Sequence, residues 1–201
     1  MNKKIGTTKI ITGPMFAGKT TALIREYNNI NPFRKILVFK PQMDNRYSSS
    51  EIVSHNKKRI KAEIISHPSE IEDLLTPKIN DIIIDELHFF PPDCYIYLEK
   101  LSKKGINITL AGLDWNYFES KPFATVANCL AIANIIVKLT AECDYKSEGN
   151  IIADRECNIP ATKSAWKLGK LPKNVEDYIG GEEKYGSYCL WHYIPIKKEK
   201  N

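Results

Sequence analysis

The chain has 201 residues, of which 43% are hydrophobic, and this is enough for one core with a small appended lobe but not for two full domains. The formal net charge is +5, and the basic residues are scattered, which argues against a nucleic-acid-binding patch. No apolar run is long enough to span a membrane, and five cysteines at irregular spacing are typical of a reduced intracellular protein. We therefore expect a cytoplasmic protein without a signal peptide, a membrane anchor or a nucleic-acid partner.

The predicted elements alternate between strand and helix over the first 140 residues. In chain order we expect a strand at 8–12, a helix at 19–27, a strand at 35–40, a polar loop at 43–50, a short helix at 68–75, a strand at 81–85, a helix at 94–103, a strand at 106–111, a helix at 124–136 and a strand at 136–140. Strands that are apolar on both faces and alternate with helices predict an α/β fold, a parallel sheet with helical covers.

The character of the sequence changes after residue 140. Residues 141–201 carry three of the five cysteines, irregular turns and no clear long helix. We therefore predict an α/β domain over 1–140 and a small second lobe over 141–201.

A phosphate-binding loop follows the first predicted strand. The pattern G-x-x-x-x-G-K-[ST] is matched at every fixed position by Gly13, Pro14, Met15, Phe16, Ala17, Gly18, Lys19 and Thr20. Glycines let backbone N–H groups close around phosphate oxygens, Lys19 neutralises the β and γ phosphates, and the Thr20 hydroxyl ligates Mg²⁺. A helix that starts at this loop also points its positive end at the anion. The motif predicts a nucleoside triphosphate site.

An acidic pair closes the apolar strand at 82–84. Asp85 is the candidate for holding Mg²⁺ or its water shell. Glu86 lies one residue further on, where the end of a strand opens onto the ligand crevice, and its carboxylate can take a proton from an attacking hydroxyl or water. The two motifs indicate a nucleotide hydrolase or a kinase and leave that choice open.

Further motifs resemble those of the type II thymidine kinases, the family of the cytosolic human enzyme and its bacterial and viral relatives. The matching segments are collinear and span nearly the whole chain: 13–20 (GPMFAGKT), 40–41 with 44–47 (DNRY) and 54–55, 85–90 (DELHFF), 113–114 through 121–123, 137–143, 179–181, 185 and 189–193 (CLWHY). The resemblance implies a P-loop, RecA-like parallel sheet with a C-terminal zinc-ribbon-like lasso lobe. It also implies a homotetramer and the ATP-dependent phosphorylation of the thymidine 5′-hydroxyl.

The resemblance also implies roles for single residues. Glu86 becomes the general base, Lys19 and Arg46 stabilise the transferring phosphate, and Thr20 with Asp85 serves Mg²⁺. Beyond the phosphate loop, the ATP site is expected to include Asp44, Arg46, Asp85 and His88. The residues expected around thymidine are Met15, Phe89, Leu113, Phe118, Phe123, Arg155, Glu176, Tyr178, Gly180 and Tyr185.

The chain departs from the family pattern at the zinc site. The family uses C-x-x-C in one hairpin and C-x-x-C or C-x-x-H in another. Cys189 and His192 preserve the second pair, but the first keeps only Cys143, because Lys146 stands where the other cysteine is expected. Structural zinc takes four ligands, so the site is incomplete and the binding of zinc is uncertain.

Three interpretations of this site stay open. The metal is lost, or it persists with Asp144, Cys157 or water as a substitute ligand, or the remaining residues have another role. Cys157 is a weak substitute, because an extended strand over 147–155 would carry the chain away from the site at about 3.3 Å per residue. We therefore expect weak or no stoichiometric zinc.

Two other departures affect the nucleoside. The loop after Leu113 is one residue longer than usual, so Tyr117 competes with Phe118 for the position beside the base. Tyr178 replaces a smaller aliphatic residue, and this leaves deoxyuridine or a broader pyrimidine range open beside thymidine.

Two alternative functions stay under consideration. A hydrolase without a nucleoside acceptor would have no reason to carry Gly180, Gly181 and Tyr185. A catalytically silent nucleotide-binding homologue should have lost the phosphate loop or Glu86, and both are present.

Overall fold

The structure is a computed structural model that describes residues 5–43, 51–54, 57–145, 157–167, 180–181 and 183–196. The strands are β1 (Thr8–Thr12), β2 (Lys35–Pro41), β3 (Glu51–Val53), β4 (Arg59–Lys61), β5 (Glu63–Ile65), β6 (Ile79–Ile84), β7 (Asn107–Gly112), β8 (Trp115–Asn116), β9 (Lys121–Pro122), β10 (Ile135–Lys138), β11 (Lys163–Trp166) and β12 (Tyr185–Tyr188). The helices are α1 (Lys19–Asn29), α2 (Ile71–Leu74), α3 (Cys94–Lys103) and α4 (Ala124–Ile132), with 3-10 turns at Pro68–Glu70 and Leu87–Phe89.

Six parallel strands form the central sheet in the order β10–β1–β7–β6–β2–β5. Three consecutive isoleucines of β6 are fully buried, because successive side chains of a strand point to opposite faces and both faces are covered. Ile82 and Ile84 lie in the core formed with α3 and α4, and Ile83 lies in a second core formed with α1 and the β3–β4 hairpin. The predicted parallel α/β fold is confirmed.

The fourth helix ends earlier than the sequence pattern predicts. The expected helix at 124–136 stops at Ile132, and the β-branched run 135–137 forms β10 beside β1. Asn134 fixes this boundary, because its N–H donates to the Thr8 carbonyl at 2.8 Å and its side-chain oxygen accepts the Thr8 N–H at 2.8 Å. Pairing with β1 therefore overrides helix propensity at this point.

The carboxyl ends of the central strands meet at one edge of the sheet. β1 ends at Thr12 and β7 at Gly112, and the Thr12 hydroxyl donates to the Gly112 carbonyl at 3.0 Å. Gly13, Asp85 and Leu113 each follow one of these neighbouring strands. Parallel α/β sheets bind their ligands in the crevice at this edge.

The chain beyond residue 140 contributes a small antiparallel hairpin, β11–β12. An isolated bridge between Ala141 and Ala161 connects the hairpin region to the chain that leaves the sheet. The described residues in this region include no helix, in agreement with the sequence. The division of the chain at residue 140 stays a prediction. Within the described ranges, no helix has the length and apolar character that crossing a membrane requires.

Candidate active site

The phosphate loop connects β1 directly to α1, and two of its residues need to be glycine. Gly13 has φ 147°, and a Cβ at this position would lie 2.3 Å from the Leu139 carbonyl oxygen. Gly18, at the start of α1, has φ 79° with open space around it. Backbone in this region favours glycine, so the loop shape depends on both residues.

The positive groups of the loop point to an anion site. The Lys19 ammonium donates to the carbonyl of Pro14 at 2.6 Å, which holds it across the loop. The first turn of α1 has no acidic residue, so its exposed N–H groups and the positive end of the helix dipole are available for phosphate oxygens. Thr20 follows Lys19 in this first turn, where the phosphate-loop pattern expects the Mg²⁺ ligand.

The acidic pair at the end of β6 has a constrained geometry. Asp85 is buried, and its N–H donates to the carbonyl of Phe39 in β2 at 3.1 Å. Its carboxylate accepts the N–H of Glu86 at 2.9 Å. Glu86 has φ 50°, a left-handed conformation that is strained for a residue with a side chain. A carboxylate on a strained backbone position, at the same edge of the sheet as the phosphate loop, is a candidate for catalysis.

His88 joins this acidic pair to the end of β7. It is buried, and its Nδ1 lies 3.5 Å from the Glu86 carboxylate and accepts the N–H of Leu113 at 3.3 Å. The turn packs closely on β7 at Gly112, where a Cβ would lie 3.1 Å from the Leu87 Cβ. The structure thus brings Glu86, His88 and Leu113 together.

Two sets of aromatic side chains contain the residues that are predicted to contact the nucleoside. His88 packs against Phe89 and Phe123, with ring centroids 4.3 and 4.9 Å away. Phe118 packs against Tyr185 at 6.3 Å and against Trp166 at 6.0 Å, and Trp166 and Tyr185 are 5.2 Å apart.

Tyr117, the competitor of Phe118, packs against Phe118 itself with ring centroids 5.6 Å apart and against Tyr193 at 6.0 Å. Trp166 was missed in the sequence, because a single tryptophan in a short strand gives no signal of what it faces. Trp166 joins this set of aromatic rings because it pairs with Tyr185 across β11 and β12.

The backbone of Met15 is held by the C-terminal hairpin. Its N–H donates to the Ser164 hydroxyl at 2.7 Å, and its carbonyl accepts a hydrogen bond from the Ser187 hydroxyl at 2.6 Å. The sequence also gave no indication of these two serines, because contacts across about 150 residues depend on the tertiary fold.

The four residues Cys143, Cys157, Cys189 and His192 form one cluster, with their ligand atoms all within 4.8 Å of one another. The Sγ atoms of Cys157 and Cys189 are 3.8 Å apart, and His192 Nδ1 lies 3.5 and 3.3 Å from the Sγ atoms of Cys143 and Cys189. Tetrahedral zinc with bonds of about 2.3 Å to sulfur and 2.0 Å to nitrogen sets S···S edges of about 3.8 Å and S···N edges of about 3.5 Å. The cluster therefore has the dimensions of a structural zinc site.

The surroundings of the cluster favour metal ligation. Burial raises the pKa of the Cys189 thiol. Hydrogen bonds from the backbone N–H groups of His192 and Trp191 and from the neighbouring thiols lower it by more, so the pKa lies below its ordinary value. A depressed pKa favours the thiolate that metals bind. The Tyr145 ring stacks on His192 at 3.7 Å between centroids, which fixes the plane of the imidazole.

The expectation that Cys157 lies away from this site is wrong. Its Sγ is in contact distance of Cys189, because the chain after Cys143 returns to the cluster before β11 begins. A fourth candidate ligand therefore lies at the cluster at a different spacing, C-x₁₃-C in place of C-x-x-C. Lys146 lies outside the described residues.

Five predicted site residues also lie outside the described residues: Asp44, Arg46, Arg155, Glu176 and Tyr178. Gly180 is described, and the next residue, Gly181, accepts the N–H groups of Lys184 and Tyr185 through its carbonyl at 3.1 and 3.0 Å. Gly180 and Tyr185 are thus joined by one tight turn.

A parallel sheet whose first strand enters a phosphate loop, with an acidic pair at the end of β6, defines a P-loop protein that binds nucleoside triphosphates. The model of the thymidine kinase family matches residues 6–193. A thymidine kinase from Onion yellows phytoplasma (strain OY-M) is 43% identical over 190 residues, which cover 94% of this chain and 87% of that protein. The chain belongs to the thymidine kinase family, and it is a kinase.

Proposed function

We propose that this protein transfers the γ-phosphate of ATP to the 5′-hydroxyl of thymidine, giving thymidine 5′-monophosphate. The observation that carries the proposal is the match to the thymidine kinase family over residues 6–193, with an intact phosphate loop and acidic pair at the same edge of the sheet. A catalytically silent homologue is disfavoured, because both Lys19 and Glu86 are retained.

In this proposal, Glu86 accepts the proton of the 5′-hydroxyl as that oxygen bonds to the γ-phosphorus. The bond between the γ-phosphorus and the bridging β-phosphate oxygen breaks, and ADP leaves with that oxygen. His88 lies beside the Glu86 carboxylate and holds the end of β7 next to it by accepting the Leu113 N–H. Lys19 and Arg46 balance the charge of the transferring group. Thr20 and Asp85 would hold Mg²⁺, which would supply further positive charge to the phosphates. Phosphoryl transfer depends mostly on such positioning and electrostatic stabilisation.

The nucleoside is proposed to bind beside the phosphate loop. Phe118, Trp166 and Tyr185 supply a set of aromatic rings for the base. The side chains of Met15, Phe89, Leu113 and Phe123, with Gly180, complete the described part of this pocket. Arg155, Glu176 and Tyr178 belong to the same proposal. Thymidine is the proposed substrate, with deoxyuridine as the next candidate.

Replacing Glu86 tests this assignment. Glu86→Gln keeps the size and hydrogen-bonding capacity of the side chain but removes the base, so kcat should fall by about 10²- to 10⁴-fold with little change in ATP affinity. The matched control is Glu99→Gln, which alters an exposed glutamate that pairs with Lys103 on α3. Near-normal turnover of Glu86→Gln would show that another group takes the proton.

We also propose that Cys143, Cys157, Cys189 and His192 hold a structural zinc ion. Three thiolates and an imidazole are a standard zinc ligand set, and the support for it here is the spacing of their ligand atoms. This proposal replaces the expectation of weak or absent zinc. Cys157 supplies the fourth ligand, which is missing at position 146 because a lysine stands there.

The assembly is proposed to be a homotetramer in the cytoplasm. The resemblance to the family suggests this state, and one surface feature is consistent with it. The edge strand β10 exposes Ile135 and Ile136 by 42% and 54%. Exposed apolar side chains on a sheet edge are a liability unless another chain covers them.

A further inference from the structure

The C-terminal hairpin presents a pair of buried serines to the phosphate loop. Ser164 in β11 and Ser187 in β12 are directly opposite each other in the antiparallel register. Their exposed fractions are only 4% and 1%. Buried hydroxyls need partners, and for both serines the hairpin does not supply the partner.

Both hydroxyls contact the same residue of the phosphate loop. Ser164 Oγ accepts the Met15 N–H at 2.7 Å, and Ser187 Oγ donates to the Met15 carbonyl at 2.6 Å. Met15 lies between Gly13 and Gly18, the two residues that give the loop its conformational freedom. The two serines therefore fix both backbone groups of Met15, at a point where the loop would otherwise be free to rearrange.

We call Ser164 and Ser187, which hold Met15, the clamp. The clamp is connected to the metal-ligand cluster, which is formed by Cys143, Cys157, Cys189 and His192. Asp144 and Ser187 exchange two hydrogen bonds, one from the Ser187 N–H to the Asp144 carboxylate at 2.9 Å and one from the Asp144 N–H to the Ser187 carbonyl at 2.8 Å. Asp144 directly follows Cys143, and the N–H of Cys189 donates to the Cys143 Sγ at 3.4 Å. The cluster and the clamp thus share one short hydrogen-bonded segment.

We propose that Ser164 and Ser187 are positioning residues for ATP, which act by holding Met15 and so the phosphate loop in its binding shape. We further infer that Asp144 transmits the order of the metal-ligand cluster to this clamp, an inference that rests on the proposed zinc site. A pre-shaped loop binds more tightly, because less conformational entropy is lost when phosphate is bound.

The test measures the binding of an ATP analogue with a carbon β–γ bridge, in the presence of Mg²⁺, to the full chain. Ser164→Ala and Ser187→Ala should each raise the Kd by about 5- to 20-fold, the loss expected for one buried hydrogen bond. Because both hydroxyls hold one residue, the double variant should bind more tightly than the product of the two single effects predicts. Ser164→Thr, which keeps a hydroxyl and suits a strand, should restore binding.

Ser102→Ala is the matched control. Its hydroxyl is also buried and donates to a backbone carbonyl, that of Gly6, at 2.6 Å, but it lies outside the phosphate loop and the hairpin. This variant should lose stability without losing affinity for the analogue. Thermal melting of every variant separates a loss of fold from a loss of positioning.

Asp144→Ala tests the connection to the cluster. It should raise the Kd towards that of Ser187→Ala, have little effect when Ser187 is already replaced, and keep the zinc content of the wild type. The clamp would be overturned if Ser164→Ala and Ser187→Ala bound the ATP analogue with the Kd of the wild type. It would also be overturned if Ser102→Ala lost as much affinity for the analogue as they do. Wild-type affinity in Asp144→Ala would overturn the connection alone. A wild-type protein without zinc would refute the zinc site, while the serine variants would still test the clamp.

Discussion

At the residue scale, the two glycines of the phosphate loop are needed for different reasons. Gly13 combines a positive φ with a close approach of the Leu139 carbonyl, whereas Gly18 has a positive φ but open space. We predict that Gly13→Ala abolishes detectable ATP binding, because the added Cβ displaces backbone. Gly18→Ala should carry only the conformational penalty of about 1–2 kcal/mol, or a Kd about 5- to 30-fold higher.

Titration of each variant with the ATP analogue makes the comparison, with thermal melting as the check on folding. Equal losses at the two positions would contradict the steric argument at Gly13. Gly18→Asn is a useful third variant, because asparagine tolerates the left-handed region better than alanine. It should bind more tightly than Gly18→Ala.

At the scale of elements, we expect the proposed zinc site to stabilise the C-terminal hairpin. Cys157→Ser should remove one of four ligands, lower the bound zinc to well under one ion per chain and reduce the Tm by about 5–10 °C. Cys129→Ala is the control, because it removes a buried thiol that contacts Cys94 in the core and not the cluster. Elemental analysis and thermal melting of the two variants check this prediction.

One zinc per chain in Cys157→Ser, with an unchanged Tm, would show that Cys157 is not a ligand. Loss of zinc in Cys129→Ala as well would point to general destabilisation of the chain. Either outcome would leave the thymidine kinase assignment intact, because the phosphate loop and Glu86 lie on other elements.

Five of the six strands of the central sheet could be predicted, because the sequence signals for them are local, whereas β5 was not predicted. Apolar runs such as 82–84 are short, continuous and bounded by turns, and the phosphate loop marks the end of β1 by itself. The predicted strands and the helix at 94–103 agree with the structure to within two residues. The helix end at Ile132 could not be predicted, because Asn134 gains its role from β1, more than 120 residues away.

The candidate site was predictable only where a motif is contiguous. Glu86 and the residues 13–20 belong to such motifs, and the structure places them at the same sheet edge. Cys157, Ser164 and Trp166 have no contiguous motif, since their partners come from other strands and from the far end of the chain. Their roles depend on hairpin register, which a sequence without regular spacing does not reveal.

At the scale of the whole molecule, the exposed edge strand leads to a prediction about assembly. Light scattering of the purified protein should give a mass about four times that of the 23.0 kDa chain. Ile136→Lys should weaken the assembly, because it places a charge on the apolar edge of β10. Exposed Phe33, on the loop before β2, is 92% accessible, and Phe33→Lys serves as the control. A monomeric wild-type protein would contradict the tetramer.

Phosphorylation of thymidine by this chain can be measured directly. The most direct measurement supplies the purified protein with ATP, Mg²⁺ and each deoxynucleoside in turn, and follows the formation of nucleoside 5′-monophosphate beside the release of free phosphate. We expect thymidine to give the highest kcat/KM, with deoxyuridine next, and ATP to be consumed in proportion to the product formed. ATP hydrolysis that is independent of any nucleoside, or no phosphorylation of any pyrimidine deoxynucleoside, would contradict this expectation.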